Sequence, residues 1–294
     1  MRAATHKRLG QSVSAGCPFY VAWFANGSSM PTIYKADCGG RYDMVGENET
    51  LAVVILAAGL GTRMKSKKAK VLHALLGRPM ISYVVDTARV VAGDNVVLVV
   101  GHQADEVRAI VAQQAEVRYA FQAEQLGTGH AAMCALSELP DNVNHVVVLC
   151  GDVPLLRRET LQRFVHDHCA HKRTLSVLAV QLPNPTGYGR IVQDENGYVV
   201  GIVEEADATP AQKAIQLVNT GIYCIDRRFL STALQEIRSD NAQGEYYLTD
   251  IVGVAHDSRL PVGVTVGENA DEFIGINSRE QLEAVEDMMR LSLS

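Results

Sequence analysis

From residue 51 onward, short runs of Val, Ile and Leu alternate with longer stretches of helical periodicity. The apolar runs are continuous, which indicates strands that are buried on both faces, as in a parallel sheet. Strands that alternate with helices form βαβ units, so we expect an α/β fold with a Rossmann-like, mostly parallel sheet flanked by helices. The expected strands are LAVVILAAG, NVVLVVGH, HVVVLCGD and LSVLAVQL, and the expected helices are PMISYVVDTARVVAG, QADEVRAIVAQQ, TGHAAMCALSEL and RRETLQRFVHDHCAH.

Two further elements follow this pattern. YGRIVQDENGYVVGIVEE predicts a β-hairpin, because two β-rich runs flank Glu195-Asn196-Gly197 and Asn-Gly is a strong hairpin-turn signal. Residues 279–294 predict an amphipathic C-terminal helix. Its apolar face is expected to carry Leu282, Val285, Met289 and Leu293.

Residues 1–48 show no sustained helical or strand period and are rich in Gly and Ser. Arg2, Lys7 and Arg8 precede the apolar patch CPFYVAWFA, a pattern that raises the alternative of a targeting segment. The patch starts late and contains Pro18, so we expect a poorly ordered extension, with Met44 as an alternative start. The predicted organisation is this extension, a core over residues 49–278 and the helix over residues 279–294.

Composition excludes several classes of protein. The net charge of −6 argues against a general nucleic-acid or anionic-membrane binder, and no apolar run approaches the length of a membrane-spanning helix. The cysteines lack CxxC spacing, which is typical of reduced thiols in a cytoplasmic protein. They are Cys17, Cys38, Cys134, Cys150, Cys169 and Cys224.

A loop of glycines and cations follows the first expected strand, in LAVVILAAGLGTRMKSKKAKVLH. Ligands of open parallel sheets bind beyond the carboxyl ends of strands, where glycine lets backbone N–H groups approach an anion. The loop therefore predicts a phosphate site with Arg63 and Lys70 as its cations. Lys65, Lys67 and Lys68 are better interpreted as a solvated charge run.

The loop alone allows other interpretations. A dinucleotide-binding loop needs G-x-G-x-x-G, but Met64 stands where the third glycine belongs, and no suitable acid ends the next strand. A P-loop needs G-x-x-x-x-G-K-[ST], which the sequence lacks. A purely structural turn is a further alternative, although it would not need the two cations.

Motifs along most of the chain favour a more specific interpretation. LAAGLGTRM and KAKVLHALLGRPMI resemble the signature loop of sugar-phosphate nucleotidylyltransferases. In order and spacing, the later motifs resemble the uridylyltransferase domain of the bifunctional N-acetylglucosamine-1-phosphate uridylyltransferase / glucosamine-1-phosphate acetyltransferase family, over about residues 51–290. These motifs are FQAEQLGTGHA, CGDVPLL, PTGYGRIV, GIVEE, VNTGIY, NAQGEYYLTDI and GINSREQL.

The resemblance implies a fold of the nucleotide-diphospho-sugar transferase type, in which the hairpin is a sugar-binding insertion. It implies a Mg²⁺-dependent, cytoplasmic enzyme of cell wall precursor biosynthesis that transfers UMP from UTP to N-acetylglucosamine 1-phosphate and releases pyrophosphate. Nucleic acid and membrane are not expected partners. Two alternatives remain open: a nucleotidylyltransferase for another hexose 1-phosphate, and a non-catalytic module that binds a sugar nucleotide.

The resemblance also assigns roles to residues of this chain. Arg63 and Lys70 are the implied catalytic cations, and Asp152 and Asn277 the implied Mg²⁺ ligands. The implied nucleotide-binding residues are Leu56, Ala57, Ala58, Gly59, Gln122, Gln125, Gly127, Thr128 and Cys150. The implied sugar-binding residues are Gly189, Glu204 and Asn219.

Some of these residues also have purely structural interpretations. Asp152 follows a buried strand, where an unpaired carboxylate is costly, and it could instead cap the helix that follows Pro154. Asn277 alone would be a turn residue, and His130 is expected to pack or to be solvated rather than to act as an acid or base. HDHCAHK brings His166, His168, Cys169 and His171 together, but no second ligand pair fits, so zinc is not expected.

The chain departs from the family pattern at three points. Ala69 stands before the catalytic lysine, where the family commonly has Pro, so we expect a looser loop backbone. Cys150 replaces an aromatic residue that is common before Gly151. No hexapeptide-repeat β-helix follows the C-terminal helix, so neither acetyl-coenzyme A chemistry nor the family-type trimer is expected.

Overall fold

The computed structural model describes residues 50–293, with side chains as far as Leu291. The predicted extension over residues 1–48 and the side chain of Leu293 lie outside the described part. The strands are β1 (Leu51–Leu56), β2 (Ala74–Leu75), β3 (Arg78–Pro79), β4 (Val96–Val100), β5 (Arg118–Phe121), β6 (His145–Cys150), β7 (Leu175–Gln181), β8 (Arg190–Gln193), β9 (Val199–Val203), β10 (Leu217–Asp226) and β11 (Val262–Gly267). The helices are α1 (Met80–Ala92), α2 (Ala104–Val111), α3 (Thr128–Ala135), α4 (Arg158–Ala170), α5 (Pro210–Lys213), α6 (Arg227–Glu236), α7 (Asp250–Asp257) and α8 (Arg279–Leu293).

A mixed sheet organises the described residues, in the order β11-β7-β10-β6-β1-β4-β5. β1 pairs parallel with β4 and β6, and β4 pairs parallel with β5. β10 is antiparallel to both of its neighbours, β6 and β7, and β11 is parallel to β7. Along this path β10 is therefore the strand that runs against the others. The predicted α/β class with a mostly parallel sheet is confirmed.

Alternate residues of the central strands enter two separate cores. Val53 and Ile55 of β1 pack on one face with residues of α1, α2 and α4. Ala52 and Val54 pack on the other face with residues of α3, α6 and α7. Helices thus cover both faces, which is why the strands have continuous apolar sequences.

The hairpin and the C-terminal helix form where the sequence predicts them. β8 and β9 are antiparallel, and Gly197 adopts a φ of 82° in the turn between them. Leu282, Val285 and Met289 of α8 pack in a small core with Leu75 and Ile276. Two predicted helices are shorter than their sequence patterns, since α2 ends at Val111 and α3 at Ala135. Within the described residues, no helix is both long enough and apolar enough to cross a membrane.

Candidate active site

The candidate site lies where the parallel strands end. Asp152 follows β6, and the glycine-rich loop follows β1, so both lie at the carboxyl edge of the sheet. β10 runs in the opposite direction, so its first residues, including Asn219, come to the same edge. The family-implied residues of distant segments therefore converge because of the sheet topology.

The implied catalytic cations and metal ligands form one cluster. The ammonium Nζ of Lys70 donates to Asp152 Oδ2 at 2.5 Å and to Asn277 Oδ1 at 3.0 Å. Arg63 Nη2 donates to the same Asn277 oxygen at 2.9 Å. Lys70 and Asp152 are largely buried, with 16% and 17% of their side-chain surfaces exposed. The short loop thus brings two cations, a carboxylate and an amide into direct contact.

Two oxygens of this cluster suit a divalent cation. Asp152 Oδ2 and Asn277 Oδ1 both accept from the ammonium of Lys70, and Asn277 Oδ1 also accepts from Arg63. A carboxylate and an amide oxygen are hard ligands, and Mg²⁺ is commonly held by one or two such groups together with substrate phosphates. The alternative role of Asp152 as a helix cap is wrong, because α4 begins at Arg158 and has no side-chain cap. The residues therefore fit Mg²⁺.

The solvated interpretation of the other loop lysines agrees with their exposure. Lys65, Lys67 and Lys68 are all exposed. Gly61 of the same loop has a φ of 61°, and a Cβ there would lie 2.6 Å from Lys70 Cβ. The loop therefore needs glycine beside the lysine that enters the cluster.

The segment around Gln122 and Thr128 is held against residues 245–248. Tyr246 N donates to Leu126 O at 2.8 Å, Gly129 N donates to Tyr246 O at 2.7 Å, and Leu248 N donates to Thr128 Oγ1 at 3.0 Å. Gly127 has a φ of 108°, and a Cβ there would lie 2.5 Å from Tyr246 O. The segment is therefore rigidly placed, with glycine required at its centre.

The implied nucleotide residues occupy the ends of β1, β5 and β6. Gln122 is buried, its Nε2 donates to Gly127 O at 3.1 Å, and the same nitrogen lies 3.1 Å from His130 Nδ1. Gln125 Nε2 donates to Gln122 O at 3.1 Å. His130 therefore packs against the segment. Leu56, Ala57, Ala58 and Gly59 follow in the chain at the end of β1, beside Cys150 at the end of β6.

The three implied sugar residues also meet. Asn219 N donates to Gly189 O at 2.9 Å, and a Cβ on Gly189 would lie 3.3 Å from Glu204 Oε2. Asn219 Nδ2 donates to Tyr223 Oη at 2.7 Å. Backbone and side chain together thus place an amide and a carboxylate side by side, as recognition of sugar hydroxyls requires.

Glu204 is an unusual carboxylate. Burial raises its pKa, and Asp250 and Asp207 raise it further, while a hydrogen bond from Thr249 Oγ1 to Oε1 at 3.2 Å opposes them. The sequence assigns no role to Thr249, which precedes α7, or to Tyr223 of β10, because single hydroxyl residues in such segments carry no distinctive signal. The carboxylate is held in a poorly solvated position, where a ligand hydroxyl can satisfy it.

Cys150 lies between the two halves of the site. Its Sγ donates to Gly221 O at 3.7 Å, and a Cβ on Gly221 would lie 2.8 Å from that sulfur. Burial raises the pKa of the Cys150 thiol to about 12, and the charge of Asp152 adds to the shift. The thiol is therefore a neutral packing group rather than a nucleophile.

Of the histidines that the sequence brings together on and just after α4, His168 is part of the core. His168 is fully buried, with Nδ1 2.8 Å from Ser176 Oγ and Nε2 3.2 Å from His145 Nδ1. His171 Nδ1 instead lies 2.9 Å from Asp167 O. Within the described residues, no group of three or more His, Cys, Asp and Glu side chains could hold a metal ion.

Comparison with known proteins identifies the family of this chain. The model of the nucleotidyl transferase family matches residues 52–269. The chain is 46% identical over 239 residues to a protein named bifunctional protein GlmU from Trichlorobacter lovleyi, covering 81% of this chain and 52% of that protein. A protein of the same name from Geobacter metallireducens is 49% identical over 232 residues, covering 79% of this chain and 49% of that protein.

The chain spans about half the length of these curated relatives. A solved structure of a putative glucose-1-phosphate thymidylyltransferase from Bacillus anthracis, in complex with sucrose, has a TM-score of 0.63. It is 19% identical and covers 82% of this chain and 96% of its own, so it is a likeness of fold alone. The resemblance inferred from the sequence motifs is confirmed.

Proposed function

The chain belongs to the nucleotidyl transferase family, and on that premise we propose that it transfers UMP from UTP to N-acetylglucosamine 1-phosphate, releasing pyrophosphate. The observation that carries the proposal is the cluster in which Lys70 donates to both Asp152 and Asn277. The segments proposed to bind the nucleotide, and the residues Gly189, Glu204 and Asn219 proposed to bind the sugar, lie near the same edge of the sheet. We propose that the reaction takes place in the cytoplasm and supplies UDP-N-acetylglucosamine for cell wall precursors.

In the proposed reaction, an oxygen of the sugar 1-phosphate attacks the α-phosphorus of UTP. The new P–O bond forms as the bond from the α-phosphorus to the bridging oxygen breaks, and pyrophosphate leaves with that electron pair. The second pKa of a phosphate monoester is about 6, so the nucleophile is already ionised at neutral pH and needs no protein base. Positioning and charge neutralisation remain for the protein, and Arg63 and Lys70 supply the positive charge.

Asp152 and Asn277 are the residues that would hold Mg²⁺. When bound, the ion would neutralise part of the negative charge of the phosphates. Both oxygens also accept from Lys70, so these two residues would orient the ammonium of Lys70 towards the phosphates of the substrates as well.

The polar groups at each end of the cluster suit the proposed substrates. The buried amide of Gln122 and the amide of Gln125 can pair with a base edge, and the backbone around Gly127 can approach it closely. The carboxylate of Glu204 can accept from sugar hydroxyls, and Asn219 adds amide donors and an acceptor. These are the groups on which selection of uracil and of the N-acetyl sugar would rest.

The proposal is tested by pyrophosphate release from UTP with and without N-acetylglucosamine 1-phosphate, in the presence of Mg²⁺. We expect release only with both substrates. Faster release with a different hexose 1-phosphate would reassign the substrate. Binding of UTP and the sugar phosphate without any release of pyrophosphate would contradict the proposed catalytic activity and favour a non-catalytic binding module.

The variant Lys70→Ala tests whether the lysine of the cluster has a role that the exposed lysines of the same loop lack. We expect kcat/KM to fall by about a hundredfold or more, because the cation that stabilises charge in the transition state is lost. Lys67→Ala, which removes an exposed lysine of the same loop, is the matched control and should keep wild-type activity. Steady-state pyrophosphate release at fixed Mg²⁺ makes the measurement, and equal losses in the two variants would refute the role given to Lys70.

A further inference from the structure

We propose that Gln103 is a positioning residue for Lys70 and acts through the backbone of Ala69. The Oε1 atom of Gln103 accepts a hydrogen bond from the backbone N–H of Ala69. Ala69 directly precedes Lys70, so this bond ties the lysine segment to the junction between β4 and α2. The inference rests on the proposed function, in which Lys70 is a catalytic cation.

The donor of this bond needs its acceptor. Ala69 is 2% exposed, so its N–H is out of reach of bulk solvent. A buried backbone N–H without a partner is strongly unfavourable, and Gln103 Oε1 is the acceptor that the structure provides for it. Loss of the acceptor would therefore favour a different path of the loop that carries Lys70.

The acceptor is held in place by its own neighbours. Gln103 has a φ of 53° and a ψ of 43°, a left-handed conformation that is disfavoured for a residue with a side chain. Its Nε2 donates to Glu106 Oε1 at 3.4 Å. The carboxylate of Glu106 therefore accepts from the amide nitrogen of Gln103, and the amide oxygen of Gln103 faces the N–H of Ala69.

The same junction contacts the nucleotide-binding segments. His102 N donates to Ala58 O at 3.5 Å. A Cβ on Gly101 would lie 2.7 Å from Gln125 Nε2 and 2.9 Å from Ala58 O, so glycine permits a close approach of both. Three consecutive residues thus fix the lysine segment relative to the end of β1 and to Gln125.

Ala69 supplies the backbone donor on which this bond depends. Its φ of −52° and ψ of 137° are values that proline also adopts, so a proline would keep the backbone path. A proline, however, has no N–H and could not donate to Gln103. The chain therefore combines a donor at position 69 with an acceptor at position 103, instead of a ring that fixes φ.

The first test removes and then restores the acceptor. We expect Gln103→Met to lower kcat/KM for UTP by about tenfold, since a buried N–H loses its partner, with KM for the sugar phosphate unchanged. The double variant Gln103→Glu with Glu106→Gln exchanges carboxylate and amide, keeps the net charge and restores an acceptor for Ala69. It should recover most of the activity, and Gln113→Met, on an exposed glutamine near the end of α2, should have no effect.

The second test removes the donor. In an Ala69→Pro background there is no N–H to bind, so Gln103→Met should cause no further loss. An equal tenfold loss in both backgrounds, or no recovery in the exchanged variant, would overturn the proposal.

Amide hydrogen exchange at Ala69 tests the bond without any assay of activity. The amide of Ala69 should exchange at least tenfold faster in Gln103→Met than in the wild type, while the amides of β1 keep their protection. Unchanged exchange would reject the bond itself. If the wild type releases no pyrophosphate, the proposed function fails, and this measurement still decides the contact between Gln103 and Ala69.

Discussion

At the scale of single residues, the position of Glu204 in the candidate site lowers the stability of the fold when the carboxylate is ionised. Glu204 is a carboxylate beside Gly189 and Asn219, and burial raises its pKa. A carboxyl group with a raised pKa in the folded protein stabilises the fold while it is protonated, and that contribution is lost as the pH rises through the folded pKa. Above that folded pKa the fold therefore holds an ionised group in an unfavourable place, which is expected where a ligand completes its hydrogen bonds.

Replacing Glu204 by Gln should separate binding from stability. We expect KM for the sugar phosphate to rise by about tenfold, since a hydrogen bond to a charged acceptor is lost. The free energy of unfolding should increase relative to wild type at neutral pH and converge with it in acid, where Glu204 is protonated. Urea denaturation across pH, together with kinetics, measures both effects, and a variant that is less stable at neutral pH would contradict the assignment.

The sequence predicted some residues of the site better than others. Arg63 and Lys70 follow from the loop alone, because glycines and cations after a buried strand indicate a phosphate. Asn277 and Glu204 look like ordinary turn and strand-end residues, and only the family resemblance makes them candidate site residues. Gln103 could not be predicted in either way, because its role depends on a left-handed backbone and on a contact across 34 positions of sequence.

At the scale of elements, the contact between the start of α3 and residues 245–248 shapes the nucleotide end of the site. Three hydrogen bonds join Leu126, Thr128 and Gly129 to this segment. The contact is possible because Gly127 has a positive φ and no side chain. Sequence periodicity identifies α3 but not this partner, since the two segments lie far apart in the chain.

Gly127→Ala should break this contact. The new Cβ would lie 2.5 Å from Tyr246 O, and alanine at a φ of 108° is strained, so we expect a loss of about 3 kcal/mol of stability and a higher KM for UTP. The matched control is Gly253→Ala within α7, where nothing lies within 4 Å of the new Cβ. The control should be neutral or stabilising, because alanine favours a helix. Thermal denaturation compares the two variants, and similar stabilities would show that the contact does not depend on Gly127.

At the scale of the whole molecule, a buried histidine makes the stability of the fold depend on pH. His168 of α4 contacts Ser176 of β7 and His145 of β6. Burial, together with the neighbouring His145 and Arg173, lowers the pKa of His168 from 6.5 to about 3. The folded protein therefore keeps this histidine neutral, while the unfolded chain protonates it below about pH 6.5.

The stability of the fold should consequently fall as the pH decreases from 6.5 towards 3. In His168→Gln, the urea midpoint should depend less steeply on pH over this window, even if the variant is less stable at pH 7. His171→Gln, on the more exposed side chain at the end of α4, serves as the control and should keep the wild-type slope. Identical slopes in wild type and His168→Gln would contradict the prediction.

The overall architecture could be predicted from the sequence because continuous apolar strands and intervening helices determine the α/β class. The direction of β10 could not, since a strand buried on both faces has the same composition in either orientation. β5 and β11 also give no clear strand signal, because RYAF is short and VGVTVG is partly exposed. Local patterns therefore describe the layers, while the order and direction of strands depend on long-range pairing.

The reversal of β10 also bears on the order in which a growing chain can assemble this site. Once a ribosome has added Asp152, the adjacent parallel strands β1, β4, β5 and β6 are all present. Nascent chains fold from the N-terminal side during synthesis, so these parallel strands can pair first, but the proposed nucleotide end also needs its contact with residues 245–248. Asn219 arrives later on β10, and Asn277 later still. The proposed site is therefore complete only after residues 245–248 and then Asn277 have been added.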